Sequence, residues 1–257
     1  MIIKEITSRQ NPFVKQLYQL SRSNNQYQQT GEVWLEGEHL CRAYLEKSGV
    51  PQAIVCSKTS YHNAAFTHLI TDASSLYILD DQLFKQISTL GSMGEIGYLI
   101  NLPKSQTIQP QVNSIILDRL QDPGNVGSIL RSAAAFGFKQ VIALKGTSAL
   151  WGIKTLRAGM GAHFSLCLFE QMDVSDLTHL DVPLLATSSH TSFKLHKTNL
   201  PSPCAWIFGH EGQGVSQTLL NQSQHTVCIE QPGGEESLNA AMAASICMYE
   251  SIRQQFS

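Results

Sequence analysis

"SIILDRLQDPGNVGSILRSAAAFGFKQVIAL", residues Ser114 to Leu144, decides the fold. It opens on the apolar run "SIILD" and then breaks at Asp122-Pro123-Gly124, a strong turn signal. "GNVGSILRSAAAFG" follows with a helical pattern in which Ile129, Ala133 and Phe136 share a face at spacings of four and three. Arg131 projects at a different angle and is placed by this reading near the N-terminal end of the helix. A second apolar run, "QVIAL", closes the unit. Strand, helix and strand in this order predict a parallel β-α-β architecture with both sheet faces covered.

The rhythm continues on both sides. Downstream, "HFSLCLF", "VPLLATS", "AWIFG" and "HTVCI" read as further short buried strands, and a last helix is predicted from about Ser237 to Arg253. Upstream, "EVWLEG", "QAIVCS", "SLYILD" and "IGYLINL" alternate with the helical patterns "EHLCRAYLEKSG" and "DQLFKQIS". Between the two series lies "PKSQTIQPQVN", Pro103 to Asn113, which is polar, contains two prolines and reads as a linker. The expected fold class is therefore α/β, with one small domain over residues 1–105 and a larger one over residues 112–257.

Composition narrows the function. The 257 residues are 42% hydrophobic and 15% charged, which is globular composition throughout. A net charge of -2 excludes the strongly basic surface of an indiscriminate nucleic-acid binder. Local basic excess remains in the first 22 residues, where Lys4, Arg9, Lys15 and Arg22 face Glu5 alone. Such spacing is read either as a solvated helix face or as an RNA-contacting arm. Six scattered cysteines without a C-x-x-C read as buried free thiols, and among nine histidines only His190 and His196 come near to pairing, so no metal is expected. No run approaches the ~20 apolar residues of a membrane span, and the N-terminus lacks a cleavable leader pattern, so a cytoplasmic protein is expected.

Parallel α/β sheets bind ligands where strands give way to loops. Three such junctions stand out. The first carries Asn125, Gly127 and Arg131; on spacing alone, Arg131 is as readily an exposed helix residue as a functional one. The second is "AWIFGHEGQGVS", where Gly209, Gly212 and Gly214 surround Glu211. That glycine density permits a close backbone approach to a ligand or simply a tight turn, and it lacks the Lys-Ser/Thr ending of a phosphate loop. The third is "IEQPGGEESLNAAMAASICMYE". Glu236 or Ser237 reads as a helix cap, with Glu235 and Glu236 complementing the helix dipole. Capping leaves Asn239 unexplained inside the first turn, and the alanines from Ala240 to Ala244 imply a closely packed second backbone.

Taken in order, Asn125-x-Gly127-x-x-x-Arg131, "FGHEGQGVS" and "IEQPGGEESLNAAMAASICMYE" resemble the three motifs of the SpoU (TrmH-type) RNA ribose 2'-O-methyltransferases of the SPOUT class, over residues from about 113 onward. "ITSRQNPFVKQL" and "VWLEGEHLCRAYLEKSG" resemble the family's accessory substrate-binding domain, a small α/β fold similar to some ribosomal proteins. The resemblance implies a deep trefoil knot in the C-terminal domain and a homodimer formed through it, with the alanine-rich helix in the subunit contact. It implies S-adenosylmethionine as cofactor, held mainly by main chain near Gly209, Ile229 and Leu238, with Thr187 beside them. Arg131 would be the key catalytic residue, supported by Asn125, Glu211, Ser237 and Asn239. The substrate would be structured RNA, ribosomal rather than transfer RNA, with Arg42 joining the basic residues above, and neither DNA nor a membrane is implied. The alternative is a non-catalytic RNA-binding protein on the same scaffold. One departure is visible: the family commonly shows Ile-Pro-Met where this chain has Ile229-Glu230-Gln231.

Overall fold

The computed structural model describes residues 1–90, 95–104, 106–189, 191–233 and 237–256. The chain forms two compact units, Met1–Lys104 with Trp151–Phe164, and Ser105–Leu150 with Ser165–Ser257. The segment Trp151–Phe164, placed by contiguity in the larger domain, thus belongs to the first unit.

In the first unit five strands, β1 (Ile2–Ile6), β2 (Glu32–Glu36), β3 (Ala53–Ser57), β4 (Ser75–Leu79) and β5 (Ile96–Asn101), form one sheet in the order β1-β4-β3-β5-β2. β1, β4 and β3 run parallel, whereas β5 is antiparallel to both β3 and β2. The sheet of this small α/β unit is mixed; strand-helix alternation carries no information about strand direction. Helices α1 (Pro12–Arg22), α2 (Gln26–Thr30), α3 (Glu38–Ser48), α4 (Lys58–Tyr61) and α5 (Asp81–Ile87) connect these strands. In α1 the Asn11 side chain caps the Phe13 amide at 2.9 Å, Pro12 opens the helix, and Val14, Leu17 and Leu20 turn inward. They meet Trp34, Val55, Phe84 and Leu99 in one core, which Ile153 from the later segment completes.

Three of the five expected basic contact residues are engaged within this unit. Lys4 lies over the Tyr77 ring at 5.5 Å, Arg22 lies over Tyr18 at 5.5 Å, and Arg42 pairs with Glu38 at 3.5 Å. Phe13 stacks on Tyr77 with ring centroids 3.9 Å apart.

The second unit has six strands, β6 (Ser114–Asp118), β7 (Gln140–Leu144), β8 (Cys167–Met172), β9 (Leu184–Thr187), β10 (Ala205–Gly209) and β11 (His225–Val227). They form a wholly parallel sheet in the order β11-β9-β10-β6-β7-β8. Helix α6 (Pro123–Ala135) follows β6, α7 (Ile153–Gly159) is the helix contributed to the first unit, α8 (Gln217–Gln222) follows β10, and α9 (Ala240–Arg253) ends the series. The core between sheet and connections includes Ile116, Ile142, Phe169, Ala186, Ile207 and Leu219. The second half of the expected linker is fastened to this unit. Buried Gln140 donates to the Gln109 carbonyl and to Ser114 Oγ, both at 2.8 Å, and accepts from the Gln109 amide at 3.0 Å.

Among the described residues no helix is long and apolar enough to cross a membrane. His190 of the nearest histidine pair lies outside the described residues.

Candidate functional site

Strand order places β10 next to β6, so the connections leave the centre of the sheet in opposite directions. Ligands collect at such a switch point, beyond the carboxyl ends of the strands. To one side of that point, over the half of the sheet that holds β9, β10 and β11, the ends of those strands and the start of α9 enclose a cleft of about 820 Å³. Thr187 and Ser188 enter from β9, residues 209–215 from the loop after β10, and Ile229 and Gln231 from the segment after β11. Ser237, Leu238, Ala240 and Ala243 supply the remaining wall.

The loop after β10 is folded onto its own strand. His210 accepts from the Gly214 amide at 2.8 Å, and a Cβ on Gly209 would lie 2.2 Å from Gly214 C and Val215 N. Glycine at 209 is therefore required by backbone contact. Gly214 is required by its φ of +68°.

All four residues expected at the cofactor, Thr187, Gly209, Ile229 and Leu238, line this one cleft, as do Glu211 and Ser237 of the catalytic set. Asn125 and Asn239 do not line it but are wired to its lip. The Asn239 side-chain amide donates to Asn125 Oδ1 at 2.9 Å, and Asn125 Nδ2 donates to Glu211 Oε1 at 3.1 Å. Glu211 also accepts from the Gln121 amide at 3.1 Å and the Asp122 amide at 3.0 Å. One carboxylate thus ties the loop after β6 to the loop after β10.

Partial burial of Glu211 pushes its carboxyl up, but the Gln121 amide, the Asn125 side chain and the Asp122 amide outweigh it and bring the pKa from 4.5 down to about 2. A depressed carboxyl stabilises the fold above its unfolded value, and that contribution is lost as pH falls through the folded value. The melting-temperature difference between the parent protein and Glu211→Gln is accordingly expected to be full above pH 4.5 and to shrink toward pH 2. Thermal melts of both proteins across that range measure it.

Arg131 is not brought to the cleft. It is exposed, the ninth residue of α6 and well past its first turn, and has no hydrogen bond or ion pair among the described residues. Helical periodicity gave its angle but put it too near the helix start, since α6 begins at Pro123, eight residues before it.

The third junction differs from expectation in two ways. α9 begins at Ala240 and its cap is Asn239, whose Oδ1 accepts from the Ala241 amide at 2.9 Å and the Met242 amide at 3.2 Å. Ser237 is therefore before the helix, and Glu235 and Glu236 lie outside the described residues. Asn239→Ala is expected to cost about 1 kcal/mol in urea denaturation, and Asn239→Asp, which keeps the accepting oxygen, to recover most of it. Secondly, Ala241 and Ala244 are buried within the unit, where α9 packs on α6 and Ser132 meets Ser245 Oγ to Oγ at 2.7 Å. The close-packed backbone is α6 of the same chain. The exposed face of α9 carries large residues instead, Met242, Ile246 and Tyr249, with Phe136 against the Tyr249 ring.

Sequence reading missed Asp118 and Arg119. Asp118, buried at the end of β6, accepts from the Ser216 amide at 2.7 Å and from Arg119 Nε at 2.9 Å. Arg119 adopts a left-handed φ of 61°, and its Nη1 donates to Gln213 Oε1 at 3.1 Å. A carboxylate ending an apolar strand beside a turn was the available signal.

A parallel α/β unit with a cleft at the carboxyl ends of its strands, lipped by polar loops, defines a ligand-binding domain. The model of the SpoU rRNA Methylase family matches residues 113–249, just over half of the chain, and the chain belongs to that family. An uncharacterised tRNA/rRNA methyltransferase of Synechocystis is 33% identical, with 99% of this chain and 95% of the relative covered. The 23S rRNA (guanosine(2553)-2'-O)-methyltransferase RlmP of Bacillus subtilis is 26% identical over 96% of this chain and 98% of its own. The fold matches the AdoMet-bound rRNA methyltransferase of Sinorhizobium meliloti with a TM-score of 0.84, at 24% identity and 99% coverage of both chains. It also matches the SpoU methyltransferase AviRb of Streptomyces viridochromogenes in complex with AdoMet, with a TM-score of 0.87 at 22% identity, covering 96% of this chain and 99% of that one.

Proposed function

We propose that this chain is an S-adenosylmethionine-dependent methyltransferase acting on a ribose 2'-hydroxyl of structured RNA, with ribosomal RNA as substrate, and that it works as a cytoplasmic homodimer. The cleft carries this reading, supported by the methyltransferase names of the relatives. Its volume of about 820 Å³ falls in the range of small-molecule sites, roughly 300–1,000 Å³. Phe208, Val215, Leu220 and Val227 offer apolar wall for a base, and main-chain groups at Gly209, Ile229 and Leu238 offer hydrogen bonds, with the Thr187 hydroxyl beside them. The residues present fit the cofactor. When bound it supplies an electrophilic methyl group on a sulfonium.

Within this reading, Glu211, Asn125 and Asn239 hold the loops at one spacing, and Ser237 contacts the ribose from the lip. Fixing reactants at near-attack distance is worth roughly 7–11 kcal/mol. Arg131, exposed on α6, orients the substrate phosphate and stabilises charge developing on the 2'-oxygen. A guanidinium holds its proton in water and does not accept another, so the proton leaves to phosphate or water. The exposed apolar face of Met242, Ile246 and Tyr249 is the dimer contact, and the loops after β10 and β11 are threaded as a deep trefoil knot. Residues 1–105, joined by Trp151–Phe164, form the RNA-binding part, in which Arg9 and Lys15 are available to phosphate.

Incubation with methyl-labelled cofactor and separate pools of ribosomal and transfer RNA tests the reading. Label is expected in ribosomal RNA, in dinucleotides resistant to alkali because the 2'-oxygen is blocked. Label on a base, or none in either pool while the cofactor binds, would overturn it; the latter result would instead favour the non-catalytic RNA binder.

A further inference from the structure

We infer that Gln231 recognises the adenine edge of the nucleoside in this cleft, an assignment that rests on the cofactor reading above. Glu230 and Gln231 occupy the two positions at which this chain departs from the family pattern, and the structure sends them in different directions. Glu230 points away, with its carboxylate 3.8 Å from Lys194 Nζ and 3.5 Å from His196 Nε2. The segment bearing those two side chains is itself bound to the end of β11, since the Leu195 amide donates to the Cys228 carbonyl and the Cys228 amide to the Phe193 carbonyl, each at 2.8 Å. Backbone bonds thus hold Cys228 before Ile229, and the Glu230 side chain is held after it. Gln231, the next residue but one, lines the cleft. Its Oε1 is buried and has no hydrogen-bond partner among the described residues.

A buried carboxamide oxygen without a partner is unfavourable until something supplies the missing bond. Other polar side chains on this wall are committed: both Glu211 oxygens accept from the loop after β6, and Gln213 Oε1 accepts from Arg119. Gln231 offers an acceptor and a donor in one plane. That pair complements the 6-amino group and adjacent ring nitrogen of adenine, the same bidentate match that amide side chains make to adenine elsewhere. Phe208, Val215, Leu220 and Val227 give the base an apolar surround. The other side chain of the departure thus serves ligand selection, while Glu230 serves loop anchoring.

Calorimetry on the full chain with S-adenosylhomocysteine and with S-inosylhomocysteine, whose 6-amino group is replaced by oxygen, tests the assignment. The parent protein is expected to prefer the adenosyl compound by about tenfold or more. In Gln231→Met and Gln231→Leu the adenosyl compound is expected to weaken about tenfold and the inosyl compound by less than about twofold, collapsing the preference. Thermal melts confirm that at least one variant is folded. Parental affinity for both compounds in a folded variant overturns the assignment, and so does an equal loss of both, which marks a structural role. Failure of the parent protein to bind either compound overturns the cofactor reading itself, and the assignment with it.

Discussion

Arg131→Ala is expected to lower the single-turnover rate of RNA methylation by about two to three orders of magnitude while S-adenosylhomocysteine affinity stays within about twofold. The expectation follows from where the side chain is. Arg131 is exposed on α6, does not line the cleft and has no ion pair or hydrogen bond among the described residues. Truncation therefore removes no bond on which folding or the cleft depends. What it removes is a planar cation, whose two-pronged fit to a phosphate is lost to alanine entirely and to lysine in part. Arg131→Lys should accordingly fall between parent and alanine, losing about tenfold. Rapid-quench methylation assays at saturating cofactor measure both variants, and near-parental rates in both would remove Arg131 from the chemistry.

The largest expected loss of stability lies in the first unit. Glu36, whose side chain is 1% exposed, ends β2 and accepts from the Thr89 amide at 2.9 Å, from Thr89 Oγ1 at 2.6 Å and from Ser88 Oγ. Its countercharge is Arg157 of α7, with Nη2 3.6 Å from Glu36 Oε2 and a further bond to Thr89 Oγ1. Arg157→Ala leaves a buried carboxylate with neutral donors only. Losing one partner of a buried pair costs about 3–5 kcal/mol, and the partial exposure of Arg157 places this case near the lower figure. Replacing both partners, as Glu36→Gln with Arg157→Met, should recover much of it. Urea denaturation midpoints of the single and double variants provide the comparison.

Strands of the second unit were legible because each is a short apolar run bounded by turns, and "SIILD", "QVIAL" and "AWIFG" match β6, β7 and β10 residue for residue. β1 was not, since four of its five residues are exposed on a sheet edge and carry no buried pattern. The direction of β5 was equally hidden. At the site, Thr187, Gly209, Glu211, Ile229, Ser237 and Leu238 line one cleft while Arg131 does not, and Asn239 was placed inside a helix that it caps, because the Glu-Glu-Ser run offered an earlier and equally good cap. The alanines illustrate a different limit. Small residues in a row announce close packing, but the packed neighbour, α6, is more than a hundred residues away in sequence, and periodicity does not say whose backbone it is. The Asp118 link to the Ser216 amide escaped for the same reason.

The membership of α7 in the first unit bears on how the protein is made. Ile153 completes the same core as Leu17 and Trp34, and Arg157 neutralises Glu36, so a nascent chain that has emerged only as far as Lys104 has a hole in its core and an unpaired acid. That unit closes only after β6, α6 and β7 have been synthesised and Phe164 has left the exit tunnel. The usual order, in which an N-terminal domain matures before its successor begins, does not apply. The two halves of this chain share a single birth, and a stop codon anywhere before residue 158 strips the first of its countercharge as surely as it truncates the second.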